Sequence, residues 1–129
     1  MAVRVLIIDD SSAMRKVLAL ALRKAKAEVS EVWEAGNGRE ALNLLEGKTP
    51  ELILCDIYMP VMGGLEFLKR RKGLAALTDI PVVMISTEGG EHIVAEALSQ
   101  GASGYVRKPF TQEQFANCIL SFIPHCADV

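Results

Sequence analysis

Histidine is scarce in this sequence, with two in 129 residues, and neither His92 nor His125 has a partner at metal-pair spacing. Serine–histidine and cysteine–histidine acyl transfer are thereby disfavoured. No glycine-rich phosphate loop is present: neither Gly36-Asn37-Gly38 nor the stretch from Gly101 to Gly104 has nucleotide-binding spacing at the first strand. No apolar run approaches the ~20 residues of a membrane span. Met1 to Val5 leads straight into a strand, without the features of a signal peptide. Cysteine is sparse and odd in number (Cys55, Cys118, Cys126), which excludes a disulfide framework and suits a reducing compartment. A formal charge of -2 gives no bulk attraction to nucleic acid or anionic membrane. The cationic run Lys69 to Lys72 reads as the solvated last turn of a helix. No DNA-binding helix-turn-helix is expected after Pro124. A cytoplasmic protein with protein partners is expected.

What is present is a half-apolar chain of single-domain length. Val3–Ile8, Leu52–Cys55 and Ile80–Ile85 are apolar runs without alternation, the mark of strands buried on both faces. Val29–Trp33 is a mixed strand suited to an edge, and Gly104–Arg107 a short fifth strand. Helices fall between them. The first runs from Ser11/Ser12 to about Ala27, with Met14, Val17, Leu18, Ala21, Leu22 and Ala25 on one face. The others cover Arg39–Glu46, Gly64 to about Lys72, Glu91–Ser99, and a last helix capped by Thr111 with Gln114 three residues on. In the third, Leu65 and Leu68 are expected to be buried with Phe67 beside them. Five strand–helix pairs with short connections call for a parallel sheet covered on both faces.

Parallel strands bring their carboxyl ends to one edge, where open α/β sheets place ligands. Asp9-Asp10, Asp56, Ser86-Thr87 and Lys108 then converge. Three carboxylates in one cleft repel unless a cation lies among them, and hard oxygen ligands suit Mg²⁺. The remaining chemistry is on the carboxylate itself: Asp56 as nucleophile toward a phosphoryl group, with Mg²⁺ and Lys108 offsetting charge on the transferring oxygens.

In these residues the chain resembles the receiver domains of response regulators, most of all the small single-domain regulators of the chemotaxis type. The resemblance covers about Val3 to Pro124 and rests on Asp9-Asp10, Asp56 with Met59-Pro60 and Gly64, Ser86, and Lys108-Pro109-Phe110. It implies a doubly wound, flavodoxin-like sheet of order 2-1-3-4-5, residues 1–124 forming the receiver and 125–129 a tail. It implies phosphoryl transfer to Asp56 from a sensor histidine kinase or histidine phosphotransfer protein, catalysed by the receiver itself, with no separate small-molecule turnover. Asp10, Asp56 and the Tyr58 carbonyl would hold Mg²⁺, or Mn²⁺ in its place, and Asp9 would act through a metal-bound water. Lys108 would contact the acyl phosphate and Ser86, rather than Thr87, would hydrogen-bond it. Tyr105 would be the switch aromatic, turning inward as Ser86 shifts. The signal would leave through the fourth helix, fifth strand and fifth helix toward a protein target. A monomer is expected, able to associate through the fourth-helix to fifth-helix face when phosphorylated.

Departures from the family pattern lie beside the site. Gly63 stands where an aspartate is frequent. Tyr58 is two residues past Asp56, and Glu88 two past Ser86; both are expected to control water access to phospho-Asp56. Pro109 makes a cis bond after Lys108 an option. Rival readings are a phosphorylation-independent binding module, a receiver cut from a longer regulator, and a Mg²⁺-dependent phosphatase. The phosphatase calls for an acid two residues past the nucleophile, where this chain has Tyr58.

Overall fold

The structure is a computed structural model and describes residues 3–25, 28–87 and 90–123. Strands β1 (Val3–Ile8), β2 (Val29–Ala35), β3 (Leu52–Cys55), β4 (Val82–Ser86) and β5 (Gly104–Arg107) alternate with helices α1 (Ser12–Lys24), α2 (Gly38–Leu44), α3 (Gly64–Arg71), α4 (Glu91–Ser99) and α5 (Gln112–Leu120). All strand pairs are parallel, in the order β2-β1-β3-β4-β5. The expected order and the edge position of β2 are both found.

Period-2 geometry divides each buried strand between two cores. Leu6, Ile8, Ile53, Cys55, Val82 and Met84 face α2, α3 and α4, packing with Ala41, Phe67, Leu68 and Ala97. Val5, Ile7, Leu52, Leu54, Val83 and Ile85 face α1 and α5, with Leu18, Leu22, Phe115 and Ile119. Burying a side chain the size of Phe67 or Phe115 contributes roughly 2–3 kcal/mol.

The helix signals work locally. Ser11 caps α1, its hydroxyl accepting from the Met14 N–H, and Asn37 caps α2 by accepting from the Glu40 N–H. Thr111 and Gln114 form the expected reciprocal capping box. Gly101 ends α4 at φ +105°, a conformation that a side chain would strain.

Several expectations need correction. α1 ends at Lys24, and β4 starts at Val82, after the proline. Val17 is exposed, because the buried stripe of α1 runs through Leu18, Ala21, Leu22 and Ala25, and Val17 lies one step (100°) off it. In α3 it is Phe67 and Leu68 that are fully buried, with Leu65 at the margin. A 3₁₀ turn, Ala75–Leu77, intervenes before β4. The basic run is not uniformly solvated: Arg71 is 4% exposed, its Nη2 donates to the Ile80 carbonyl at 3.0 Å, and its Nε has no partner. Ala27, Glu88, Pro124 and the tail 125–129 lie outside the described residues.

Candidate functional site

Asp9, Asp56 and Lys108 are each the first residue past a strand, and the N–H of each still joins the sheet ladder. Asp9 donates to the Ala35 carbonyl at 3.0 Å, Asp56 to Ile8 at 2.9 Å and Lys108 to Ser86 at 2.8 Å. The backbone that carries these charges is therefore fixed by the sheet, while the side chains project beyond its carboxyl edge. Ser86, the last residue of β4, sits between β3 and β5.

The side chains meet there. Asp9, Asp10 and Asp56 each offer a carboxylate oxygen, all within 4.8 Å of one another. Lys108 Nζ lies 3.0 Å from Asp9 Oδ2 and 3.6 Å from Asp56 Oδ2. Asp9 is buried and accepts a second bond, at 2.9 Å, from the Ser11 N–H. Asp56 accepts from the Ile57 N–H at 2.7 Å and from the buried Ser86 side chain. Burial raises the Asp56 carboxyl above the ordinary carboxylate range, and the Asp9 charge adds to it. Lys108, the Ile57 N–H and Ser86 oppose the rise. Asp10 is the exposed member of the set.

The loop after Asp56 is tightly constrained. Gly64 begins α3 so close to β3 that a Cβ there would collide with the Asp56 carbonyl oxygen, and its N–H donates to the Ile57 carbonyl at 2.7 Å. Met62 is buried, and its carbonyl accepts from the Gly38 N–H at 2.9 Å, which ties the loop to the start of α2. Just before Met62, Val61 has φ +73° and an 80% exposed side chain.

The remaining expected residues fall around this edge. Tyr58 is 58% exposed, and Thr87 is exposed. The Lys108–Pro109 bond is cis. Tyr105 is half-buried against the α2–α4 core. Sequence reasoning missed the Lys108–Asp9 contact and the role of Arg15. The Arg15 Nη1 donates to the Asp9 carbonyl and its Nε to Glu34 Oε1, both at 2.6 Å.

The donor set fits a small hard cation: three carboxylates share one cleft, one of them exposed to admit it. An open parallel sheet with three acids, a hydroxyl and a lysine at its carboxyl edge defines an α/β receiver of the kind found in two-component signalling. The chain belongs to the response regulator receiver domain family, whose model matches residues 5–120.

The chain is 36% identical over 111 residues to a Chemotaxis protein CheY homolog of Campylobacter jejuni, covering 85% of this chain and 84% of that protein. It is 43% identical over 113 residues to a protein-glutamate methylesterase/protein-glutamine glutaminase of Treponema pallidum, spanning 86% of this chain but only 27% of that protein. The structure of the chemotaxis response regulator CheY4 of Vibrio cholerae aligns with a TM-score of 0.84 at 31% identity, covering 95% of this chain and all of that one. Among the described residues no helix is long and apolar enough to cross a membrane.

Proposed function

We propose that this chain is a phosphoryl-accepting switch in which Asp56 is the acceptor. The observation that carries this reading is the convergence of three carboxylates within 4.8 Å, with Lys108 3.6 Å from Asp56. In the transfer, an Asp56 carboxylate oxygen forms a bond to phosphorus as the phosphorus–nitrogen bond to a donor histidine breaks, and the imidazole nitrogen recovers the electron pair. The donor is a histidine kinase or a histidine phosphotransfer protein.

Asp10, Asp56 and the Tyr58 carbonyl would hold Mg²⁺, with Asp9 acting through its water. The ion supplies charge neutralisation for the transferring oxygens. Lys108 is close enough to shift from Asp9 toward a new phosphoryl group, and Ser86 offers it a hydroxyl. The added charge then competes for Ser86, which ends β4, and for Lys108, which follows β5, the strand that carries the half-buried Tyr105. This is a route by which the α4–β5–α5 face can change its binding to a protein target. We assign residues 1–124 to the receiver and 125–129 to a tail, place the protein in the cytoplasm, and read it as a monomer able to dimerise when phosphorylated.

The test is incubation with Mg²⁺ and acetyl phosphate, followed by intact mass and peptide mapping. A labile adduct on Asp56, absent in Asp56→Asn and without metal, is expected. No adduct under conditions that load another receiver, together with no Mg²⁺ binding, would leave the phosphorylation-independent binding module as the reading.

A further inference from the structure

Two of the three acids have side-chain anchors. The Asp9 carboxylate is held by the Ser11 N–H and Lys108, and that of Asp56 by the Ile57 N–H, Ser86 and Lys108. Among the described residues the Asp10 carboxylate has no hydrogen-bonding or ionic partner. Its direction therefore depends on the backbone that carries it, and that backbone begins with the Asp9–Asp10 peptide. A peptide group is planar, so fixing its carbonyl oxygen fixes the plane and with it the Asp10 Cα.

Arg15 fixes that oxygen. From the second turn of α1 its Nη1 donates to the Asp9 carbonyl at 2.6 Å, a short charge-assisted bond. The guanidinium is held in turn by Glu34 on β2, whose Oε1 accepts from Nε at 2.6 Å. The Arg15 side chain is 19% exposed and that of Glu34 is 44% exposed, so the inner partner is shielded and the outer one faces water. The planar fork spans from β2 to the peptide between two acids of the cluster, a geometry a lysine does not reproduce.

We propose that Arg15, braced by Glu34, is a positioning residue that aims Asp10 into the cation site. The inference rests on the reading of the acid cluster as a Mg²⁺ site. Removing support of this kind from behind a metal ligand typically weakens metal binding by about 10–100-fold.

Electrostatics gives the test its sign. Arg15 is itself a cation near a cation site, so through-space repulsion alone predicts that Arg15→Met tightens Mg²⁺. Positioning predicts the reverse. Mg²⁺ affinity is measured by calorimetric titration of the whole protein at fixed pH and ionic strength, alongside thermal stability. Arg15→Met is expected to bind Mg²⁺ at least about tenfold more weakly, and to need correspondingly more Mg²⁺ to accept phosphoryl from acetyl phosphate. Unchanged or tighter Mg²⁺ binding, with or without a fall in melting temperature, overturns the proposal. Should Arg15→Met fail to fold, the charge-conserving Arg15→Lys decides: weaker Mg²⁺ binding upholds the proposal and unchanged binding overturns it. A wild-type protein that neither binds Mg²⁺ nor accepts phosphoryl would instead overturn the function proposed above.

Discussion

Lys108 lies closer to Asp9 than to Asp56: its ammonium hydrogen-bonds Asp9 at 3.0 Å and stands 3.6 Å from Asp56. In this arrangement the lysine is the counter-ion of the acid cluster. A divalent cation entering the cluster meets that charge already in place.

Lys108→Met is therefore expected to tighten Mg²⁺ binding several-fold while sharply slowing phosphoryl acceptance from acetyl phosphate. Titration calorimetry and mass spectrometry on the same sample read both effects. Weaker Mg²⁺ binding in this variant would show that the lysine organises the acids rather than competing with the ion.

Asp56 supplies a pH-dependent prediction. Burial lifts its folded carboxyl above the ordinary value, so ionisation opposes folding. The wild type is free of this penalty below the unfolded value near ~3.9. It loses stability as pH rises toward the raised folded value, and stays penalised above it. Asp56→Asn removes the charge, so it should melt higher than wild type at pH 7, by a margin that shrinks as pH falls through that window. Melting curves without added metal from pH 7 to pH 4 test this, and a margin that grows in acid would contradict it.

Val61 is β-branched, sits at φ +73° and packs against little, its side chain being 80% exposed. Asparagine tolerates this conformation better. Val61→Asn is expected to stabilise the fold by about 1 kcal/mol, within the range for a residue held in a sparsely populated region. Urea denaturation measures it, and a destabilised variant would mean the valine side chain makes contacts that matter.

Within the run Lys69-Arg70-Arg71-Lys72, only Arg71 is buried. Arg71→Ala should destabilise by about 2 kcal/mol through lost packing of its stem and the abandoned Ile80 carbonyl, whereas Lys69→Ala should stay within about 0.5 kcal/mol. Equal effects in the same denaturation series would refute the distinction.

Tyr58 lies two residues past the acceptor and is largely exposed, and its ring is expected to shield phospho-Asp56 from water. Tyr58→Ala should shorten the lifetime of the phosphorylated form severalfold, read as loss of the labile adduct after the donor is removed. Matching decay rates would eliminate the shielding idea.

The sheet edge was legible in the sequence because strand parallelism follows from strand–helix alternation, and parallel strands gather their last residues at one end. That argument needs only strand ends, which Asp9, Asp56, Ser86 and Lys108 mark plainly. Contacts decided by side-chain reach were not legible. Arg71 falls on the buried stripe of α3, three and four residues past Leu68 and Phe67, but its charge reads with its solvated neighbours and hides that position. The choice of Asp9 as the nearer partner of Lys108 is likewise a matter of three-dimensional distance. Arg15 carried no signal, because one partner follows β1 and the other lies on β2. Val61 reads as an ordinary loop residue; its left-handed backbone precedes the buried Met62 and the closely packed Gly64, contacts that only the folded chain shows.

The sheet separates the two cores completely: Phe67 lies with α2, α3 and α4, and Phe115 with α1 and α5. Each face is in effect its own mutational neighbourhood. A conservative change beneath α3 leaves the packing beneath α5 undisturbed, because five strands of backbone, joined by ladder hydrogen bonds, stand between them. Damage should therefore accumulate additively across faces and non-additively within one. Over evolutionary time, one layer of helices is free to be rebuilt for a new partner while the other keeps the domain folded.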